Sequence, residues 1–189
     1  EMCIRDRAQK AFGTGEKKIL NEEGDIIKKL RSHLKDIWKM KIVAIIPARA
    51  GSKSIKNKNL IQIKKKPLIY YPIKSAKKLN LINRIIVSTD SKKIKKVAER
   101  YGAEVPFLRP KKISGFLSRD IEYIKHCINW LKKEKYVPDL IVLLRPTTPF
   151  RETKIIDKAI KFVIKYKSDS LRSVSVAKET PYKNVEKKR

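Results

Sequence analysis

The sequence predicts an α/β fold, a three-layer α/β/α sandwich built around a mostly parallel sheet. Three observations lead there. Short apolar runs without polar alternation, at Lys41–Pro47 and Asp139–Leu144, have the pattern of strands buried on both faces. Between them lie stretches whose apolar residues recur at helical spacing. Strand and helix then alternate from Met40 onward, at lengths that suit right-handed βαβ crossovers.

The elements follow in order. Lys41–Pro47 is the first strand, and a polar loop, Ala48–Asn59, leaves it. Pro67 opens a helix to about Leu79, since proline is tolerated in a first turn. Arg84–Thr89 is the second strand. Ser91 is placed to cap a helix whose buried stripe is Ile94, Val97, Ala98 and Tyr101, and Gly102 ends it. Glu104–Leu108 reads as a short third strand. A loop to about Ser118 leads into a helix with Ile121, Ile124, Ile128 and Leu131 on one face. Asp139–Leu144 is a further strand, Pro146–Pro149 a proline-bracketed loop, and Thr153–Tyr166 a helix carrying Ile156, Ala159, Ile160 and Val163 inward. Leu171–Ala177 begins another strand.

Residues 1–39 differ from the rest. They read as an N-terminal extension, with one amphipathic helix from Asp25 carrying Ile26, Ile27, Leu30, Leu34, Ile37 and Trp38. Residues 40–189 read as a single domain, incomplete at its C-terminal end.

Composition narrows the function classes. Hydrophobic residues make up 41% of the 189, which is a globular proportion. No run of about 18 apolar residues is present to span a bilayer, and the first residues lack the pattern of a secretory signal. Cys3 and Cys127 stand at no metal-ligand spacing, and His33 and His126 do not complete one. The expectation is a reduced, cytoplasmic setting. The net charge of +29 invites a nucleic-acid reading, but lysine outnumbers arginine 36 to 12 and is spread over the outer faces of nearly every helix. A nucleic-acid surface would gather charge on one face, with arginine and aromatic residues at readout positions. No nucleic-acid partner is expected; the charge helps attract an anionic nucleotide.

Ligands of open α/β sheets bind beyond the carboxyl ends of the strands. The loop after the first strand reads Pro47-Ala48-Arg49-Ala50-Gly51-Ser52-Lys53-Ser54-Ile55-Lys56-Asn57-Lys58-Asn59. Gly51 is expected to turn the backbone sharply and bring it close to a ligand. Exposed amides and the Ser52 hydroxyl suit phosphate oxygens, and Arg49, Lys53 and Lys58 supply charge. The Walker-A ending is absent, so the residues alone leave two readings, another kind of phosphate loop or a solvated basic turn.

That loop, in this order after an apolar strand, resembles the signature of the acylneuraminate cytidylyltransferase family. Further similar motifs follow in the family's order: Arg84–Asp90, Tyr101–Phe107 with Arg109-Pro110, Leu143–Arg151, Asp169–Val174 and Pro181-Tyr182-Lys183. The resemblance spans about residues 40 to 184 and implies a Rossmann-like sandwich of the nucleotide-diphospho-sugar transferase type. It implies that Arg49, Gly51, Ser52, Lys53, Lys58, Asn59, Arg109 and Asp120 bind CTP, with Arg49 and Lys58 acting on the transferring group. It further implies that Arg145, Thr147, Thr148 and Lys183 meet an acidic nine-carbon sugar. Asp90 has two readings, a site residue or a cap for the next helix. The implied reaction moves CMP from CTP to the anomeric hydroxyl of a nonulosonic acid, with Mg²⁺ (or Mn²⁺). Asp-x-Asp metal ligands are expected beyond residue 189, as is much of a homodimer contact. Ser54 departs from the glycine common in the family. Arg145 stands where the best-known sialic-acid members carry glutamine, and leans the reading toward a bacterial acid such as legionaminic acid. The alternatives are a cytidylyltransferase for the eight-carbon acid KDO, a basic nucleic-acid-binding module, or a truncation product without activity.

Overall fold

The structure, a computed structural model, describes residues 39–52, 55 and 57–174. The described residues divide into two compact units, one ending at Thr153 and one starting at Lys154. The expected helix from Asp25 lies outside the described residues.

The first unit is organised by β1 (Ile42–Pro47), whose apolar residues Ile42, Val43, Ala44, Ile45 and Ile46 are all fully buried. Neighbouring side chains on a strand point to opposite faces, so a strand with no exposed face must be covered on both sides. On one face Val43 and Ile45 join Ile86, Tyr123, Cys127 and Leu131 in a hydrophobic cluster. On the other lie Ile42, Ala44 and Ile46. Helix α1 (Tyr70–Lys77), carrying buried Ile73 and Ala76, is in contact with β1 and with β4 (Arg84–Ser88). The parallel sheet has the order β4-β1-β5, where β5 is Leu140–Leu143. Ile45 is opposite Ile86 on one side and Leu143 on the other. The result is a Rossmann-like α/β sheet with helices packed on it. Three loops, after β1, β4 and β5, therefore leave the same edge.

Helix α2 (Lys92–Arg100) begins as the sequence indicates: the Ser91 hydroxyl accepts from the Ile94 amide at 3.4 Å, and Gly102 follows the helix at φ +80. Ile94 and Ala98 are its buried residues. Helix α3 (Asp120–Lys133) follows an N-cap at Arg119, and the Glu122 carboxylate accepts from the Arg119 amide at 3.0 Å. Helix α4 (Thr153–Tyr166), in the second unit but for its first residue, keeps Ile160 buried and carries an Asp157–Lys161 pair at 2.7 Å on its outer surface.

Several expectations are corrected. Pro67 does not open a helix; it lies in β3 (Lys66–Pro67), which pairs antiparallel with β2 (Gln62–Ile63), and α1 begins only at Tyr70. The two-residue turn, Lys64-Lys65, has φ of 47° and 61°, the left-handed pair such tight hairpins require. Glu104–Leu108 is not a strand: Glu104 makes an isolated parallel bridge to Ile86, and Pro106 has no N–H to continue a ladder. The buried face of α3 is Tyr123, Cys127 and Leu131, whereas Ile121 is 46% exposed. Leu143 is exposed because β5 has a strand on only one side among the described residues. Residues 171–174 form no strand, and 175–177 lie outside the described residues.

Burial in this core makes alkaline pH destabilising. It pushes the Cys127 thiol up to about 11, against smaller opposing effects from Ser88 and Arg109, and the Tyr123 phenol up to about 12. Both values are raised above those of the unfolded chain, so the folded state keeps protons that the unfolded chain has released. The stability is full below about pH 8 and is lost as pH rises toward the folded values, by about 3 kcal/mol per group. Urea unfolding at pH 8, 10 and 11 should show the decline, and Cys127→Ala should flatten its first part.

Candidate active site

The loop after β1 is held by bonds to its neighbours. The Ala50 amide donates to the Asp90 carboxylate at 2.7 Å, and the Asn59 side-chain amide donates to the Arg49 carbonyl at 2.9 Å. Asp90 is thus a strut for the loop rather than a helix cap, since Ser91 does the capping. Asn57 enters a left-handed conformation (φ 53°), which asparagine tolerates, and starts a 3-10 turn at Lys58–Leu60. That turn brings Lys58 and Asn59 back beside the strand end. Arg49 Nη1 donates to the Gly115 carbonyl at 2.5 Å and lies 5.9 Å from the Phe116 ring.

Arg109 is 5% exposed, not a surface residue. Its Nε donates to the Ser88 hydroxyl at 3.0 Å and its Nη2 to the Ser88 carbonyl at 2.8 Å, while its guanidinium lies 4.7 Å from the Tyr123 ring centre. Desolvation lowers its pKa, assisted by the charge of Arg49. Past β5, Arg145 forms an ion pair with Asp120 at the start of α3, and its carbonyl accepts from Arg151 Nη2 at 2.6 Å.

These groups surround one cavity of about 280 Å³ in the first unit. Eight of the expected site residues line it: Arg49, Ser52, Lys58, Asn59, Arg109, Asp120, Arg145 and Thr147. Thr148 is exposed beside it, its amide 3.4 Å from the Arg145 carbonyl. Gly51 does not need its missing side chain for turning, because it has no positive φ and a Cβ there would meet nothing within 4 Å. Lys53 and Lys183 lie outside the described residues. The sequence reading missed Tyr123, Phe116 and Ser118, which also line the cavity. Tyr123 was detectable, because Tyr123, Cys127 and Leu131 recur every four residues. Its hydroxyl is buried near the Asp120 carboxylate without a hydrogen bond of good geometry.

Four cations and one carboxylate around a polar cleft at the sheet's carboxyl edge suit an anionic ligand. A cytidylyltransferase family model matches residues 43–187. The chain belongs to the cytidylyltransferase family. It is 39% identical over 122 residues to an N-acylneuraminate cytidylyltransferase of Escherichia coli O18:K1:H7, covering 64% of this chain and 28% of that protein. It is 39% identical over 136 residues to a CMP-N,N'-diacetyllegionaminic acid synthase of Legionella pneumophila, covering 72% and 58%. A pseudaminic acid cytidylyltransferase of Campylobacter jejuni is 35% identical over 132 residues, covering 70% and 57%. The chain thus spans at most 58% of the length of these three relatives. Among solved structures, a CMP:2-keto-3-deoxy-manno-octonic acid synthetase complexed with CTP shares the cytidylyltransferase fold at TM-score 0.56 and 18% identity, over 68% of this chain and 49% of that one. Among the described residues no helix is long and apolar enough to cross a membrane.

Proposed function

We propose that this cytidylyltransferase chain carries the nucleotide-gripping part of an enzyme that transfers CMP from CTP to a nonulosonic acid of the sialic or legionaminic type. The observation that carries the reading is the convergence of Arg49 and Lys58 from the loop after β1, Arg145 from the loop after β5, and Arg109 from the segment between α2 and α3 on one cavity. The acceptor's anomeric oxygen attacks the α-phosphorus, the bond from that phosphorus to the pyrophosphate oxygen breaks, and the hydroxyl proton leaves. Charge builds on the transferring group and on the departing pyrophosphate, so fixed cations and positioning carry the catalysis. Arg49, Ser52, Lys53 and Lys58 take the polyphosphate, Arg109 and Asn59 the rest of the nucleotide. Arg145, Thr147, Thr148 and Lys183 take the acidic sugar, where a charge-assisted bond to its carboxylate rejects neutral sugars. A homodimer in the cytoplasm completes the proposal.

The divalent ion, Mg²⁺ or Mn²⁺, belongs to this reading as one that arrives with the nucleotide. The described residues do not fit a protein-held ion: they include no group of three or more His, Cys, Asp or Glu able to hold a metal, and the one described carboxylate lining the cavity, Asp120, is engaged by Arg145.

Calorimetric titration with CTP, UTP, ATP and a single-stranded oligonucleotide tests the reading. CTP should bind at least tenfold more tightly than ATP, a difference of about 1.4 kcal/mol. Oligonucleotide binding stronger than CTP binding, with a steep fall in rising salt, would instead identify a nucleic-acid module.

A further inference from the structure

A carboxylate is out of place in a pocket meant for a polyphosphate, because it repels the ligand its neighbours attract. Asp120 nevertheless lines the cavity among Arg49, Lys58, Arg109 and Arg145. The helix it begins does not need it as a cap, since Glu122 already accepts from the Arg119 amide. Its ion pair with Arg145 leaves both side chains about half exposed, 48% for Asp120 and 51% for Arg145. Pairs this accessible contribute little to folding. Asp120 also stands in the first turn of α3 and beside the buried Tyr123 hydroxyl, but neither placement requires Arg145, so the consequence of the pair is sought in what the pocket binds.

We propose that Asp120 is a positioning residue that divides the pocket's cations between two anionic ligands. The proposal rests on the cytidylyltransferase reading above. The carboxylate takes the Nη2 edge of Arg145 and lowers the positive potential there, so that the polyphosphate settles on Arg49 and Lys58. The guanidinium has five N–H donors in a fixed plane, and those not given to Asp120 still offer a carboxylate a geometrically defined partner. The Arg145 main chain is fixed by the bond from Arg151 to its carbonyl. The fork is thus set from both ends, by Asp120 at its tip and by Arg151 at its base. A highly charged polyphosphate responds mainly to field strength, and a carboxylate mainly to the orientation of the fork. One acidic residue thereby weakens the wrong ligand and orients Arg145 for the right one.

The test compares the full chain with Asp120→Asn, Asp120→Glu and the double variant Asp120→Asn/Arg145→Gln. CTP and N-acetylneuraminate, the acid-sugar probe, are titrated separately by calorimetry at one ionic strength near physiological. Asp120→Asn should tighten CTP about three- to tenfold, the scale of one nearby charge in a half-exposed site. It should weaken the acid sugar by a similar factor. Asp120→Glu should restore both affinities toward the parent, and Arg145→Gln in the Asp120→Asn background should remove the gain in CTP binding. Opposite shifts for the two ligands are what a merely structural residue would not produce. Unchanged or weaker CTP binding in Asp120→Asn, with the melting temperature kept, overturns the role of Asp120 alone. Absence of CTP binding by the parent chain overturns the reading of the site itself, and the proposal with it.

Discussion

Replacing Arg49 by alanine should raise the dissociation constant for CTP by about 30- to 100-fold, and Lys58→Ala by about tenfold. Charge-assisted hydrogen bonds contribute about 1.5–3 kcal/mol each, and a bidentate arginine fork lies at the upper end of that range. The difference between the two residues follows from their settings. Arg49 sits directly after β1, in a loop segment tied to Asp90 and Asn59, so little ordering remains when the ligand arrives. Its guanidinium donates to the Gly115 carbonyl, a neutral acceptor that a phosphate oxygen outcompetes. Lys58 is a point charge on a flexible stem in a 3-10 turn, and loses more rotamer freedom on binding. Neither side chain supports the buried core, so melting temperatures should hardly move. Unchanged CTP affinity in both variants would show that the polyphosphate does not sit on this loop.

The parallel sheet was readable because β1 has no polar face to hide: a run of apolar residues with proline at its end admits few other placements. Capping was equally direct, since Ser91 and Gly102 each act through local geometry. The β2–β3 hairpin was not readable for the opposite reason. Its turn, Lys64-Lys65, holds two non-glycine residues in the left-handed region, so the usual Asn-Gly or Asp-Gly signal is missing. The face of α3 was read only in part: Leu131 is buried and Ile124 packs against the core cluster, but Ile121 is exposed and tertiary packing placed Tyr123 and Cys127 at the centre of the buried stripe. At the site, resemblance gathered residues from three loops that no spacing rule could connect. It could not show that Asp120 faces Arg145, because the two are 25 residues apart and meet only once α3 and β5 are packed.

Arg109→Met is expected to weaken CTP binding by at least tenfold while leaving the free energy of unfolding within about 1 kcal/mol of the parent. The usual expectation for a buried, hydrogen-bonded arginine is severe destabilisation, so the opposing contributions have to be weighed. In favour of the native state are two bonds to Ser88 and the face of Tyr123. Against it is the desolvation of a cation that has no salt bridge among the described residues and feels the like charge of Arg49, which together hold its pKa below the ordinary arginine value. Methionine fills a similar volume and needs no hydration, so the lost bonds are offset by the relieved charge. The Ser88 carbonyl keeps the bond from the Ala48 amide in either case. A cation held where it is electrostatically uncomfortable is one whose counter-charge arrives with a ligand. Urea unfolding and CTP calorimetry on the same preparation separate the two effects. A loss of several kcal/mol with unchanged CTP affinity would make Arg109 a strut between Ser88 and α3, and would take it out of the nucleotide site.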